Sequence, residues 1–224
     1  MSLGTPRLHF ASTDSTNIRA RELAARGAPH GTIVTAGQQS AGRGRQGRAW
    51  SAPPGRALLC SLLLRDPPKL LPLAAGVALA EVAGPDALLK WPNDVLLGGR
   101  KVAGILVEGR PQEHWAVLGI GLNVALRERD FPPELNGIAG TLGLEPAAIT
   151  PTLERLLEAL ERWIAADPPT VFDGVRARDA LLGQPVRWTG GEGVGAGIDA
   201  EGQLVVETAT GRVHLGAGEV HLQR

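Results

Sequence analysis

The sequence predicts a mixed α/β protein of the α+β type. One largely antiparallel sheet with packed helices is expected over residues 1–180, followed by a small β-module over residues 181–224. Three observations carry that expectation. Short strand patterns and helix patterns are interspersed through the first 125 residues and include a hairpin. A long amphipathic helix pattern follows at 150–167. Past residue 181 the chain changes to short strands broken by glycine turns, "QPVRWT", "VGAGID", "GQLVVET" and "GRVHLGAGEVHL".

In order, "RLHFA" (7–11) alternates as a short strand, and "STDSTNIRARELAARG" reads as a helix capped by Asp14 or Ser15 and stopped at Gly27. "GTIVTA" (31–36) is a second strand. "SAPPGR" cannot be helical because Pro53 and Pro54 fix an extended backbone. "ALLCSLLLR" is a continuous apolar run suited to a strand buried on both faces. "LLPLAAGVALAEVAG" is a buried helix with Pro72 in its first turns. "ALLKW" and "DVLLGGRKVAGILVEGR" read as strands, the latter turning at Gly98-Gly99, and "HWAVLGIGLNVAL" pairs onto them. "TPTLERLLEALERWIAAD" places Leu153, Leu156, Leu157, Leu160 and Ile164 on one helical stripe.

The chain of 224 residues is long enough for one core with a small appended module. It is 43% hydrophobic and 21% charged, a globular composition, and its formal net charge is zero. No general attraction to nucleic acid or membrane follows, so any anion site must be local. The single cysteine, Cys60, cannot form an intramolecular disulfide and is expected to pack in the core, which fits a reducing compartment. The N-terminus has no apolar signal region and no run approaches the roughly 20 apolar residues of a membrane span, so a cytoplasmic protein is expected. Of 23 basic residues only Lys69, Lys90 and Lys101 are lysines, and two of them flank the "WPNDVLLGGR" segment. That placement suits a site wanting a compact ammonium rather than a guanidinium fork.

"SAGRGRQGRAW" (40–50) contains a literal GxGxxG at Gly42, Gly44 and Gly47. A dinucleotide fingerprint needs a helix to start within the glycines, and here they run into "RAWSAPPGR" instead. No GK[ST] follows either, which excludes a Walker loop. What remains is glycine interleaved with Arg43, Arg45 and Arg48, a costly segment to order, expected to be mobile when empty and to close on a phosphate-bearing ligand.

"DSTN", "QQSAGRGRQGR", "KWPNDVLLGGRKVAGILVEG" and "GIGLNV", in this order, make the chain resemble a biotin protein ligase over most of residues 7–125. The terminal β-module lies where that family carries an SH3-like barrel, and no helix-turn-helix pattern precedes the first strand. The resemblance therefore is to the monofunctional form, with a class II aminoacyl-tRNA synthetase/biotin synthetase-like catalytic fold. It implies activation of biotin by ATP to biotinyl-5'-AMP, then transfer to a lysine of a biotin carboxyl carrier domain of acetyl-CoA carboxylase or another biotin-dependent carboxylase. Mg2+ is implied with ATP, and no DNA or membrane partner is implied. The resemblance is compatible with a homodimer.

By the same resemblance Lys101, Arg43 and Arg45 serve the reacting carboxylate and phosphate, with Arg48 completing the positive lid. Ser15, Thr16, Asn17 and Gln39 match biotin contacts, together with Gly44 and Gly104, the latter a place of close backbone approach. Trp50 is assigned to cover adenine, Asn93 and Asp94 to bind the nucleotide or orient Lys90, and Asn123 to lie near the phosphates or metal. Trp91 is assigned to the core. A lipoate ligase is the nearest alternative; the long "KWPND…AGILVEG" segment favours biotin. A nucleic-acid-binding module built on the Arg-Gly loop is disfavoured by zero net charge and 4% aromatics.

Overall fold

The nine-residue, largely apolar run Ala57–Arg65 forms the strand around which the fold is organised. The computed structural model of the chain describes residues 2–222. The strands of the first unit are β1 (Arg7–Phe10), β2 (Ile33–Ala36), β3 (Ala57–Arg65), β4 (Leu88–Lys90), β5 (Asp94–Leu97), β6 (Arg100–Arg110) and β7 (Trp115–Asn123). They make one seven-stranded sheet in the order β1-β2-β3-β7-β6-β5-β4. Among the described residues β1–β2 is the one parallel pairing of this sheet, which is mixed and largely antiparallel. Gly98 and Gly99, at φ of 58° and 74°, make the β5–β6 turn, a conformation that glycine adopts without a Cβ penalty.

Strand alternation sends Leu58, Cys60, Leu62 and Leu64 of β3 to one face, where α2 (Leu71–Ala83) and α3 (Ile149–Ile164) cover them. Leu153, Leu156, Leu157 and Leu160 are buried along the α3 stripe. Cys60 is fully enclosed in this core, and burial pushes its thiol pKa up to about 12, so it behaves as a small hydrophobe. On the opposite face α1 (Thr16–Ala25) packs Ala20 and Ala24 on Val34, Leu63, Trp115 and Val117. Arg65 donates to the Ala24 and Ala28 carbonyls at the end of α1, a cation where the helix dipole favours one.

Two local expectations need correction. Ser15 stands at the N-cap of α1, but neither its side chain nor that of Asp14 caps the helix; Gln39 Oε1 takes the Thr16 N–H at 2.7 Å instead. The sequence reading also passes over α4 (Pro168–Arg176), a helix of weak intrinsic propensity. The Asp167 side chain accepts from Thr170 N, Pro168 opens the first turn, and Val171 and Val175 are buried against α2.

The chain ends in a five-stranded antiparallel sheet of β8 (Pro185–Trp188), β9 (Gly191–Ile198), β10 (Leu204–Thr208), β11 (Gly211–Leu215) and β12 (Val220–Leu222), ordered β11-β10-β9-β8-β12. Leu181, Val186, Leu204, Val206 and Val220 join the same apolar cluster as α2 and β3, so this sheet shares the core of the first. Trp91 is buried, as expected, and its Nε1 donates to the Gly202 carbonyl, fastening the two sheets at the edge of the site. Among the described residues no helix is long and apolar enough to cross a membrane.

Candidate active site

The site occupies the sheet face that α1 only half covers. On β3 this face reads Ala57, Leu59, Ser61, Leu63, with Leu63 under α1 and Ala57 and Leu59 in a second cluster with Leu126, Phe131 and Ala139. Ser61 lies between the two apolar groups and is fully buried. The register aligns Ser61, Gly119 and Leu106 in one row across β3, β7 and β6. Leu59, Gly121, Gly104 and Asp94 form the next row, which continues onto β5. Three glycines therefore leave the centre of the floor without side chains.

Above the first row stands Asn17. A Cβ on Gly119 would lie 2.0 Å from its Oδ1, so this glycine is required by close approach. Asn17 Nδ2 faces two acceptors, Glu108 Oε2 at 2.9 Å and the Leu106 carbonyl at 3.4 Å, which sets the amide so that Oδ1 accepts from Ser61 Oγ at 2.5 Å. Ser61 Oγ also lies 2.8 Å from Thr16 Oγ1, which is 3.0 Å from Gln39 Oε1. Ser61 and Thr16 supply two hydroxyl protons for these three oxygen–oxygen contacts. The cluster is thus rich in acceptors and suited to N–H donors of a ligand. Ser15, Thr16 and Asn17 are all buried.

Above the second row lies Trp50, packed also against the Leu59 and Phe131 cluster. A Cβ would come within 2.4 Å of its indole at Gly121 and 3.1 Å at Gly104. Gly104 is thus a place of close approach, as expected, but the group that approaches is the Trp50 ring. Its Nε1 is buried without a hydrogen-bond partner among the described residues. The Lys101 ammonium sits 5.7 Å from the Trp50 ring centroid and 2.6 Å from Asp94 Oδ1.

The arginine loop is a small hairpin. Trp50 N donates to Gly42 O at 2.9 Å and Gly44 N to Arg48 O at 2.7 Å, with Arg43 bridged to Ala49. No α-helix follows the glycines; a single 3₁₀ turn spans Arg45–Gly47, as the failed fingerprint requires. Gly42 is needed for close approach, because a Cβ there would meet the Trp50 carbonyl at 2.3 Å. Each arginine reaches a different element. Arg43 pairs with Glu108 on β6 at 3.2 Å, Arg45 donates to Asn93 Oδ1 at 3.4 Å, and Arg48 pairs with Glu219 beside β12. Beyond the loop a cleft of ≈ 390 Å³ opens towards the second sheet, lined among others by Arg45, Lys69, Asn93 and Gly202.

Lys90, Lys101, Arg45 and Arg48 all act electrostatically on one region, against the carboxylates of Asp94 and Glu219. Burial lowers the pKa of Lys90, offset in part by Asp94. Burial also lowers that of Arg45, followed by repulsion from Arg48. An anion entering here would relieve both effects. Asn93 is held by its own donation to the Ile105 carbonyl at 3.1 Å. Asn123 is buried and donates its Nδ2 to the Gly140 carbonyl at 2.8 Å, pinning the segment that runs beside Lys101. Among the described residues no three His, Cys, Asp or Glu side chains converge as a metal site.

The sequence reading did not single out Ser61, Glu108, Gly119, Gly121 or Glu219. Only the alternating glycines of "GIGLN" carried a signal, since glycine at every second position of an apolar strand clears one face.

A family model described as Biotin/lipoate A/B protein ligase family matches residues 9–124, and one described as Biotin protein ligase C terminal domain matches residues 181–222. A biotin–(acetyl-CoA-carboxylase) ligase of Mycobacterium tuberculosis is 36% identical over 95% of this chain and 88% of its own length. The bifunctional ligase/repressor BirA of Bacillus subtilis is 40% identical over 62% of this chain, a match that spans 47% of that relative. The biotin protein ligase of Aquifex aeolicus in complex with biotin and ATP superposes with a TM-score of 0.79 at 28% identity, covering 98% of this chain and 99% of that one. With one model matching over half its length and a relative above 30% identity along nearly all of it, the chain belongs to the biotin/lipoate A/B protein ligase family, among its biotin protein ligases.

Proposed function

We propose that the chain is an AMP-forming biotin protein ligase that acts on the carrier domain of a biotin-dependent carboxylase. The observation that carries this reading is the two-row floor, with an acceptor-rich polar head at Gly119 and a cluster of cations at Gly121 and Gly104. The two glycines of β7 are two residues apart, about 7 Å along the strand. A ureido ring held at Asn17, Ser61, Thr16 and Gln39 would extend its chain along the floor and deliver its carboxylate to Lys101. That biotin and ATP are the molecules bound in the similar Aquifex aeolicus structure supports the choice of substrates.

In the first step a biotin carboxylate oxygen attacks the α-phosphorus of ATP. A C–O–P linkage forms, the bond to the β-bridging oxygen breaks, and pyrophosphate leaves with that electron pair. Two anions must meet, so fixed cations supply most of the stabilisation. Lys101 would exchange Asp94 for the reacting oxygens; Arg43 and Arg45 close over them, with Gly44 letting the loop approach, and Lys90 and Arg48 complete the positive field. Trp50, displaced or tilted from the glycine floor, would cover the intermediate, and Asn93, Asp94 and Asn123 would hold the nucleotide side. Mg2+ would arrive with ATP and offset the charge of its phosphates, with Asn123 the side chain assigned nearest to it. In the second step the neutral amine of the carrier lysine attacks the acyl carbon, the bond to AMP breaks, and the amine proton passes to solvent. Residues 1–180 would hold both substrates, and the terminal module, residues 181–224, would close the cleft or receive the carrier.

The test is incubation with biotin, ATP and a carboxyl carrier domain, with a mass increase expected on one lysine. Lipoate in place of biotin is expected to give no product; the reverse preference would refute the substrate. Lys101→Ala is expected to abolish biotin-dependent pyrophosphate release. A near-normal rate would remove Lys101 from its assigned role.

A further inference from the structure

Glu108 is the one carboxylate on the site face of β6, and its side chain is only 19% exposed. Its two oxygens serve three partners from two elements. Oε2 accepts from Asn17 Nδ2 at 2.9 Å, while Oε1 faces Arg21 Nη1 at 3.3 Å and Arg43 Nη1 at 3.2 Å. Asn17 and Arg21 lie one turn apart on α1; Arg43 belongs to the loop. A continuous polar path runs from Gln39 through Thr16, Ser61, Asn17 and Glu108 to Arg43. It begins just before the loop and ends inside it, passing beneath the position where a ligand head would sit.

We propose that Glu108 is a positioning residue that links occupancy of the polar head of the site to closure of the arginine loop. The physical argument is one of shared geometry. Asn17 is confined by Gly119 below and by three polar partners, so a ligand that fixes it also fixes Oε2 and the plane of the carboxylate. That plane decides whether Oε1 can receive the Arg43 guanidinium in a charge-assisted bond. Arg21 keeps the carboxylate paired when Arg43 departs, so opening the loop does not leave a buried charge alone. The loop can therefore exchange between Glu108 and solvent at low cost, and a small bias from Asn17 shifts its population. The coupling is reciprocal: whatever factor the ligand contributes to loop closure, closure returns to ligand affinity.

This inference rests on the biotin reading, and the experiment separates the two. The full chain is titrated with biotin by calorimetry. Its loop is then probed with dilute trypsin, scoring cleavage after Arg45 and Arg48 by mass spectrometry with and without saturating biotin. In the parent protein biotin is expected to slow loop cleavage at least tenfold. In Glu108→Gln that protection is expected to fall to below threefold, with biotin affinity weakened by a matching factor. Arg43→Gln, an exposed loop change that does not threaten the fold, is expected to do the same, and the double variant to lose no more than either single one. Protection in Glu108→Gln equal to the parent's, or independent effects that multiply in the double variant, would overturn the coupling. Biotin binding to the parent without any loop protection would overturn it too. No biotin binding to the folded parent would instead overturn the substrate assignment.

Discussion

Gly119→Ala places a methyl group 2.0 Å from Asn17 Oδ1 and 2.8 Å from its Cγ, about 1.4 Å inside ordinary contact at 3.4 Å. Asn17 cannot give way without loss, because Ser61, Glu108 and the Leu106 carbonyl hold it at 2.5, 2.9 and 3.4 Å and it is 4% exposed. Overpacking of a filled site costs about 1–3 kcal/mol. A hydrogen bond to a charged acceptor such as the Glu108 carboxylate contributes about 1.5–3 kcal/mol. Part of each is recovered by relaxation, so a net loss of about 2–4 kcal/mol is expected, a melting midpoint roughly 5–15 °C lower for a chain of this size. Displacing Asn17 also disorders the polar head, and biotin affinity is expected to fall at least tenfold. Urea unfolding measures the first quantity and calorimetric titration the second. Gly44→Ala is the control: at φ −116° with its nearest neighbour at 3.4 Å, it should change stability by less than about 0.5 kcal/mol. A Gly119→Ala protein within that same margin, binding biotin as tightly as the parent, would refute the close-approach argument.

Two further outcomes follow from the loop and the helix start. Arg45→Gly removes the guanidinium that reaches Asn93, and the seal over the acyl-adenylate is expected to leak, labelling bystander lysines at least tenfold more than the parent in a mixed-protein assay; unchanged labelling specificity would contradict the seal. The Asp14 carboxyl, held by Arg19 and the Ser15 N–H, has its pKa lowered to about 2 from an ordinary 3.8. A depressed carboxylate contributes stability above pH 4 that is lost as pH falls from 4 towards 2. Asp14 is partly exposed, so solvent screening holds the contribution to below about 1 kcal/mol. Asp14→Asn should accordingly flatten that acid limb in urea titrations at pH 5 and pH 3. An unchanged limb would show that the Asp14–Arg19 pair carries none of it.

Local patterns in the sequence were enough for much of the frame. The β5–β6 turn at Gly98-Gly99, the α3 stripe and the buried run of β3 each depend on neighbours a few residues away, where periodicity and φ preferences act directly. The helix α4 was less legible because Thr170, Val171, Gly174 and Val175 disfavour helix locally. Its cap and the burial of Val171 and Val175 override them.

The motif order in the first 125 residues pointed to the family and singled out most of the polar groups gathered at the candidate site, including the loop arginines and Lys101. It did not give their partners. Asn17 meets Ser61 across 44 residues and Glu108 across 91, and these pairings exist only because strand register sets β3, β7 and β6 side by side. The same register turned Gly119, Gly121 and Gly104, of which the sequence marked only Gly104 as a close approach, into a cleared floor, and placed Trp50 on it rather than in open solvent. By itself the sequence determined which side chains could bind an anion, because that is a property of residue type and near spacing. Only the tertiary structure decided which carboxylate each cation meets and which amide each glycine makes room for. Those depend on contacts far apart in the chain, fixed when both sheets bury one common core.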